Sequence, residues 1–193
     1  MTRPFVFVHV PKTGGQSISA VLPPGHVAAP RGLPRRHPTA LDWRVFAREQ
    51  YADAFSFAIV RNPWERLHSF YHYGRRKLVA LDGWFDSFET FVGWVVGGSP
   101  SPSPEWNRAQ MTQSVYLLDG SGELIVDFVG RFESIERDWR EVCRRIGVDE
   151  RVLPRRNASG RPDASREWTR DLISDVGDYF VDDVERWGYV APE

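Results

Sequence analysis

The stretch Phe5–Ser17, FVFVHVPKTGGQS, limits the possible folds more than any other part of the chain. Phe5 to Val10 contains five apolar residues and one His, enough for a single buried strand. Pro11 removes a ladder donor and ends that strand. Gly14 and Gly15 then allow backbone angles closed to other residues, and Gln16 to Leu22 reads as a short helix opening behind them. A strand, a glycine turn and a helix start gather backbone N–H groups around one point, which is how anion sites are built.

Lys12 lies inside that turn. Of the 25 basic residues only two are Lys, Lys12 and Lys77, so Lys at this position is a departure from the chain's habit. A compact ammonium fits a tightly wrapped loop better than the planar fork of Arg. The nucleoside-triphosphate loop GxxxxGK[ST] has a different layout, with its Lys after the second Gly and a Mg²⁺-binding hydroxyl next to it. Here Lys12 precedes both glycines, and no later segment reads as an acidic, metal-binding strand end.

Further along, FSFAIV, Phe55 to Val60, is a near-continuous apolar strand of the kind found in parallel sheets covered on both faces. Asn62-Pro63 then reads as an N-cap followed by Pro at the first helical position. Trp64, Leu67, Tyr71, Gly74 and Leu78 recur at helical spacing and predict its core stripe. Thr39 with Asp42 predicts a cap for a helix over Leu41–Tyr51, and Phe85 to Val96 predicts another helix. Val115–Asp119 and Glu123–Asp127 around Gly120-Ser121-Gly122 predict a small β-hairpin. Phe128 to Phe132 predicts a third strand, followed by a helix from Ile135 to Ile146 that ends at Gly147; Trp168 to Trp187 predicts one last helix. Alternating apolar strands and helices imply an α/β fold, with one P-loop-like domain over 1–193 and a central parallel sheet flanked by helices. Ligands of such sheets bind at the C-terminal strand ends, which is where Lys12 and Arg61 fall.

Composition narrows the function. At 41% hydrophobic and 26% charged residues, the chain is that of an ordinary globular protein. It has no apolar run near the roughly 18 residues that span a membrane. Its first strand begins almost at once, so no secretory leader is expected. Cys143 is the only cysteine, which excludes an intrachain disulfide framework and a cysteine metal site and fits a reducing cytoplasm. Net charge is −1, yet Arg is clustered around positions 31–48, 61–76 and 144–161, while the C-terminal stretch is acidic. That pattern suggests a local anionic ligand and argues against nucleic acid or a membrane surface as partner.

Arg61 ends the second strand, and Ser69 lies about two turns into the next helix, away from its apolar stripe. An Arg and a Ser so placed can jointly hold a phosphate. Taken together, HVPKTGGQS and IVRNPWERLHSFY resemble the two cofactor motifs of sulfotransferases that use 3′-phosphoadenosine 5′-phosphosulfate (PAPS). The closer resemblance is to the carbohydrate-type, uronyl 2-O-sulfotransferase-like family with many bacterial members. FVGRFESIERDWREVCRRIGV is similar to its late strand–helix unit, and LPRRNAS to its closing loop.

The resemblance implies that Pro11, Lys12, Thr13, Gly14, Gly15, Gln16 and Ser17 cradle the 5′-phosphosulfate, and that Arg61 and Ser69 bind the 3′-phosphate. Asn157, Ser159 and Arg161 would belong to the closing loop. It implies PAPS as donor, PAP as product, no metal, and a hydroxyl-bearing acceptor, either a sugar or a small molecule. Lys12 would stabilise the leaving phosphate. A general base is still required, and His37 is the first choice among the five His. The helix capped by Thr39 and the neighbouring Arg35 and Arg36 disfavour imidazolium, leaving His37 able to accept a proton. HPTA also resembles a His-containing stretch of related bacterial sequences. His26 and Glu133 are the alternatives; His9 is expected to support the loop, and His68 and His72 to lie on the helix surface or in its packing. A P-loop-type nucleotide kinase and a non-catalytic PAP- or PAPS-binding module are the competing functions.

Overall fold

A computed structural model describes residues 2–29, 37–77, 85–100, 104–154 and 167–192. In chain order the elements are β1 (Phe5–Val8), α1 (Gly15–Ser19), α2 (Ala40–Phe46), α3 (Arg48–Asp53), β2 (Phe55–Val60), α4 (Pro63–Lys77), α5 (Phe88–Val96), α6 (Pro104–Gln110), α7 (Ser114–Leu117), β3 (Phe128–Arg131), α8 (Ile135–Ile146), α9 (Arg170–Tyr179) and α10 (Val181–Trp187). The three strands form a parallel sheet in the order β1-β2-β3, so the α/β expectation is correct. No helix among the described residues is long and apolar enough to cross a membrane.

The chain forms two compact units, Met1–Arg61 with Gln113–Arg156, and Asn62–Thr112 with Asn157–Glu193. The first contains the sheet. All six residues of β2 are buried, as its central place between β1 and β3 demands. Phe5 pairs with Phe55 and Phe57 with Phe128, so aromatic side chains share one face and pack on Trp139, Val142 and Ile146 of α8. Gly130 of β3 is where α8 comes closest: a Cβ there would lie 2.8 Å from Cβ of Asp138. Asp138 is 6% exposed; its carboxylate accepts from the Arg131 N–H (2.7 Å), Ser134 Oγ (3.0 Å) and Arg137 Nε (2.9 Å).

The second unit is helical. Its core joins Trp64, Leu67 and Tyr71 of α4 to Phe88, Phe91 and Val95 of α5, Trp106 of α6, and Leu172, Val176 and Phe180. Gly74 gives the Trp106 ring its place, since a Cβ would sit 2.0 Å from it. Three positions of the expected stripe are therefore core, Gly74 is a contact point, and Leu78 lies outside the described residues.

Several boundaries differ from expectation. The helix over Leu41–Tyr51 is two helices, parted at buried Ala47, although its Thr39–Asp42 capping box is present as expected. The helix over Trp168–Trp187 is also two, parted at fully buried Phe180. The β-hairpin is not formed as two strands. Tyr116 and Leu117 are adjacent and both buried, which the alternating faces of a half-buried strand cannot achieve but one helical turn can. The turn itself exists: Asp119 Oδ1 accepts from the Ser121 N–H and Oγ, and a single bridge, Leu118 with Leu124, closes it. Part of the basic clustering is a solvated helix face, where Arg144 and Arg145 both pair with Glu141 and hold its carboxyl down at about 2.

Candidate active site

β1 ends at Val8, and the chain turns at buried Pro11 into an unusual backbone. Lys12 has φ 71° and Gly14 φ 85°; Lys12 is the non-glycine residue of the described chain held in the left-handed region. That conformation costs a non-glycine residue about 1–2 kcal/mol, so the surrounding structure must impose it. Part of the restraint is visible. Thr13, fully buried, donates from Oγ1 to the Val10 carbonyl at 2.9 Å, and the Ser17 and Ile18 N–H groups donate to the Gly14 carbonyl at 2.9 and 3.3 Å. Left-handed residues within a tight turn make the concave backbone nests that receive anions.

Each glycine of the loop has its own reason. Gly14 adopts a positive φ and lies against Phe132 and Ile135, with a Cβ position 2.8 Å from Ile135 Cδ1. Gly15 needs no special φ but has no room: a Cβ would fall 1.9 Å from Nε2 of His9. The His9 ring stacks on Phe7 (5.4 Å between centroids, 17°) and is itself met edge-on by His37 at 4.5 Å. His37, half-buried, thus reaches the loop through His9, and His9 supports the loop as expected.

Arg61 follows β2 and is 9% exposed. Its guanidinium lies 4.4 Å from the centroid of the Phe132 ring, and its Nη1 donates to the Lys12 carbonyl across a long 3.4 Å. The same Phe132 therefore underlies both Gly14 and Arg61, joining the first motif to the strand end of the second. Gln113 fixes the Arg61 backbone from the other side. Fully buried, its Oε1 accepts from the Arg61 N–H at 2.8 Å and its Nε2 donates to the Arg61 carbonyl at 2.7 Å. The side-chain amide satisfies the Arg61 N–H and C=O just beyond the last paired residue of β2.

The structure thus brings together Pro11–Ser17, Arg61, His9 and His37. His26 is elsewhere: it bridges Phe5 at the beginning of β1, the opposite end from Lys12, with burial lowering its pKa. It is removed from the candidates for the base. Glu133 is exposed in the 3-10 turn Phe132–Ser134. Ser69 is half-buried on α4 in the second unit, and Asn62 caps that helix by accepting from the Trp64 and Glu65 N–H groups at 3.1 and 3.4 Å. Asn157, Ser159 and Arg161 lie outside the described residues. Sequence reasoning missed Phe132 and Gln113. Phe132 has a signal, an aromatic residue directly after a strand; a lone Gln has none.

A loop with positive φ at Lys12 and Gly14 and a buried Arg61 lie beyond the C-terminal ends of parallel strands, the region where α/β sheets of this kind carry their ligand sites. Sequence comparison gives the finer class. The sequence model described as "Sulfotransferase family" matches residues 2–190, and the chain belongs to the sulfotransferase family. Among solved structures, a sulfotransferase from Alicyclobacillus acidocaldarius is similar, with 20% identity over 96% of this chain and 94% of that one and a TM-score of 0.49. No curated protein is significantly similar to the chain.

Proposed function

We propose that the protein is a PAPS-dependent O-sulfotransferase of the carbohydrate type, similar to uronyl 2-O-sulfotransferases, acting on a hydroxyl of a sugar or small molecule. The observation that carries this reading is the coupling of the Lys12 loop to Arg61 through Phe132 and the Lys12 carbonyl. Two anion-binding groups held at a fixed spacing suit a nucleotide with phosphates at both ends. The loop's backbone also suits an anionic group, because Lys12 and Gly14 hold the positive φ from which anion nests are made. Both units then serve one sulfotransferase domain, since the family match runs across both.

In this reading Pro11–Ser17 hold the 5′-phosphosulfate, and Arg61 and Ser69 bind the 3′-phosphate, with Asn157, Ser159 and Arg161 in the closing loop. The donor supplies the sulfuryl group: a bond forms from the acceptor oxygen to sulfur as the bond from sulfur to the 5′-phosphate oxygen breaks, and PAP leaves. The transfer resembles in-line phosphoryl transfer. Lys12 places its charge beside the phosphate on which negative charge grows, a service that needs no metal. His37 accepts the hydroxyl proton, and His9 sets the position of its ring.

The test is sulfate transfer from labelled PAPS to a panel of uronic-acid sugars, neutral sugars, alcohols and phenols. Labelled product on a sugar hydroxyl is expected. Tight PAP binding with no transfer to any acceptor supports a binding module instead, and phosphate transfer from ATP supports a kinase.

A further inference from the structure

The second unit contains a side-chain cluster that sulfuryl transfer does not use. His68 and His72 lie one turn apart on α4, a spacing that puts both rings on one face of a helix. Their Nε2 atoms are 3.0 Å apart. Glu167, just before the Thr169 cap of α9, brings one oxygen to both: Oε2 is 2.6 Å from His68 Nε2 and 2.9 Å from His72 Nε2. The side chains are 8%, 17% and 27% exposed, so the cluster is shielded and still reachable from solvent. The His68 ring is set edge-on to Phe88 at 5.4 Å and the His72 ring edge-on to Tyr71 at 5.0 Å, which fixes their orientation.

We propose that His68, His72 and Glu167 form a zinc site that ties α4 to the chain entering α9. Three heteroatoms converge on one point, and hydrogen bonding satisfies them poorly. Each edge of the triangle requires a proton, and two ring nitrogens that both donate to the same oxygen also bring their N–H groups towards each other. A cation at the centre accepts one lone pair from each and removes the conflict. Two imidazole nitrogens and one carboxylate oxygen are a zinc donor set, whereas Mg²⁺ and Ca²⁺ select oxygen-only cages. With bonds of about 2.0–2.1 Å, tetrahedral ligand atoms lie roughly 3.3 Å apart, so the edges of 2.6, 2.9 and 3.0 Å open by about 0.3–0.7 Å on binding. The fourth position is left to water. The site shares no residue with the Lys12 loop and stands whether or not the proposed function does.

The test uses the untagged full chain, stripped of metal by dialysis against a chelator and titrated calorimetrically with zinc chloride. One zinc per chain is expected, with Co²⁺ substitution giving the intense visible bands of low-coordinate cobalt. Zinc at a hundredfold excess over Kd should raise Tm by roughly 5–10 °C. Glu167→Gln and His72→Ala should each weaken zinc binding by at least about tenfold, while His26→Ala should leave the titration unchanged. Absence of stoichiometric binding at micromolar zinc overturns the proposal, as does a titration that neither Glu167→Gln nor His72→Ala alters. Glu167→Gln keeps the shape of the cluster, so it decides the matter even where His72→Ala fails to fold.

Discussion

Gln113→Ala tests whether Arg61 is held by the amide clamp. The side chain is fully buried and contributes one acceptor and one donor to the backbone of Arg61, at 2.8 and 2.7 Å. Removing it strands an N–H and a C=O that are shielded from water, and each buried unsatisfied group costs about 1–3 kcal/mol, or about 2–6 kcal/mol for the pair. For a chain of this size Tm moves by about 2–4 °C per kcal/mol, so thermal unfolding of the variant should fall by roughly 4–24 °C. Gln113→Glu separates the two bonds. It keeps the acceptor for the Arg61 N–H but sets an oxygen against the Arg61 carbonyl, and it should lose stability at neutral pH with the N–H bond retained. PAP affinity, read by calorimetry well below Tm, should fall in Gln113→Ala because the Arg61 guanidinium loses its backbone anchor. A Gln113→Ala protein that melts within about 1 °C of the parent refutes the clamp as a structural element.

Gly15→Ala should abolish tight PAP binding with the chain still folded, because its Cβ would collide with the His9 ring; unchanged binding by calorimetry contradicts the packing of the loop. His37→Ala should lower turnover by roughly 10²–10⁴ with PAP affinity kept, whereas Lys12→Ala should lose both rate and affinity; near-parental turnover in His37→Ala moves the base to Glu133. Burial pushes the Asp138 carboxyl up, but hydrogen bonds from Arg137, the Arg131 N–H and Ser134 outweigh it and hold the pKa below the usual carboxylate range. Its contribution is therefore present above the ordinary value of 3.8 and is lost as pH falls through the lower folded value; denaturant midpoints measured from about pH 5 to pH 2 should drop less steeply in Asp138→Asn.

Much of this architecture was legible because local chemistry decides it. Thr39 and Asp42 specify their own capping box, Asn62-Pro63 its helix start, and Gly147, at φ 72°, its helix end. FSFAIV is apolar on both faces because it is the central strand. The Lys12–Gly15 turn was readable for the same reason, although the reason for Gly15 was not: its partner, His9, is six residues back and meets it only after the chain has turned. The failures are tertiary. The sequence has no Gly or Pro at Ala47 or Phe180, where the helices break; both residues are buried there. Val115–Leu117 has strand-like residues but winds into a helical turn, because Tyr116 and Leu117 both need the core. Glu167 lies about ninety-five residues from His72, so only the fold could reveal their meeting.

The most direct test of the account is a calorimetric comparison of PAP with AMP, magnesium withheld, on the parent protein and on Arg61→Ala. The parent should bind PAP tightly and AMP weakly, without a divalent metal. Losing a charge-assisted contact to phosphate costs about 1.5–3 kcal/mol, so Arg61→Ala should weaken PAP by roughly 10–150-fold and leave AMP nearly unchanged. Equal losses for PAP and AMP would make Arg61 a structural residue, and magnesium-dependent binding with ATP preferred over PAP would contradict the PAPS-dependent assignment itself.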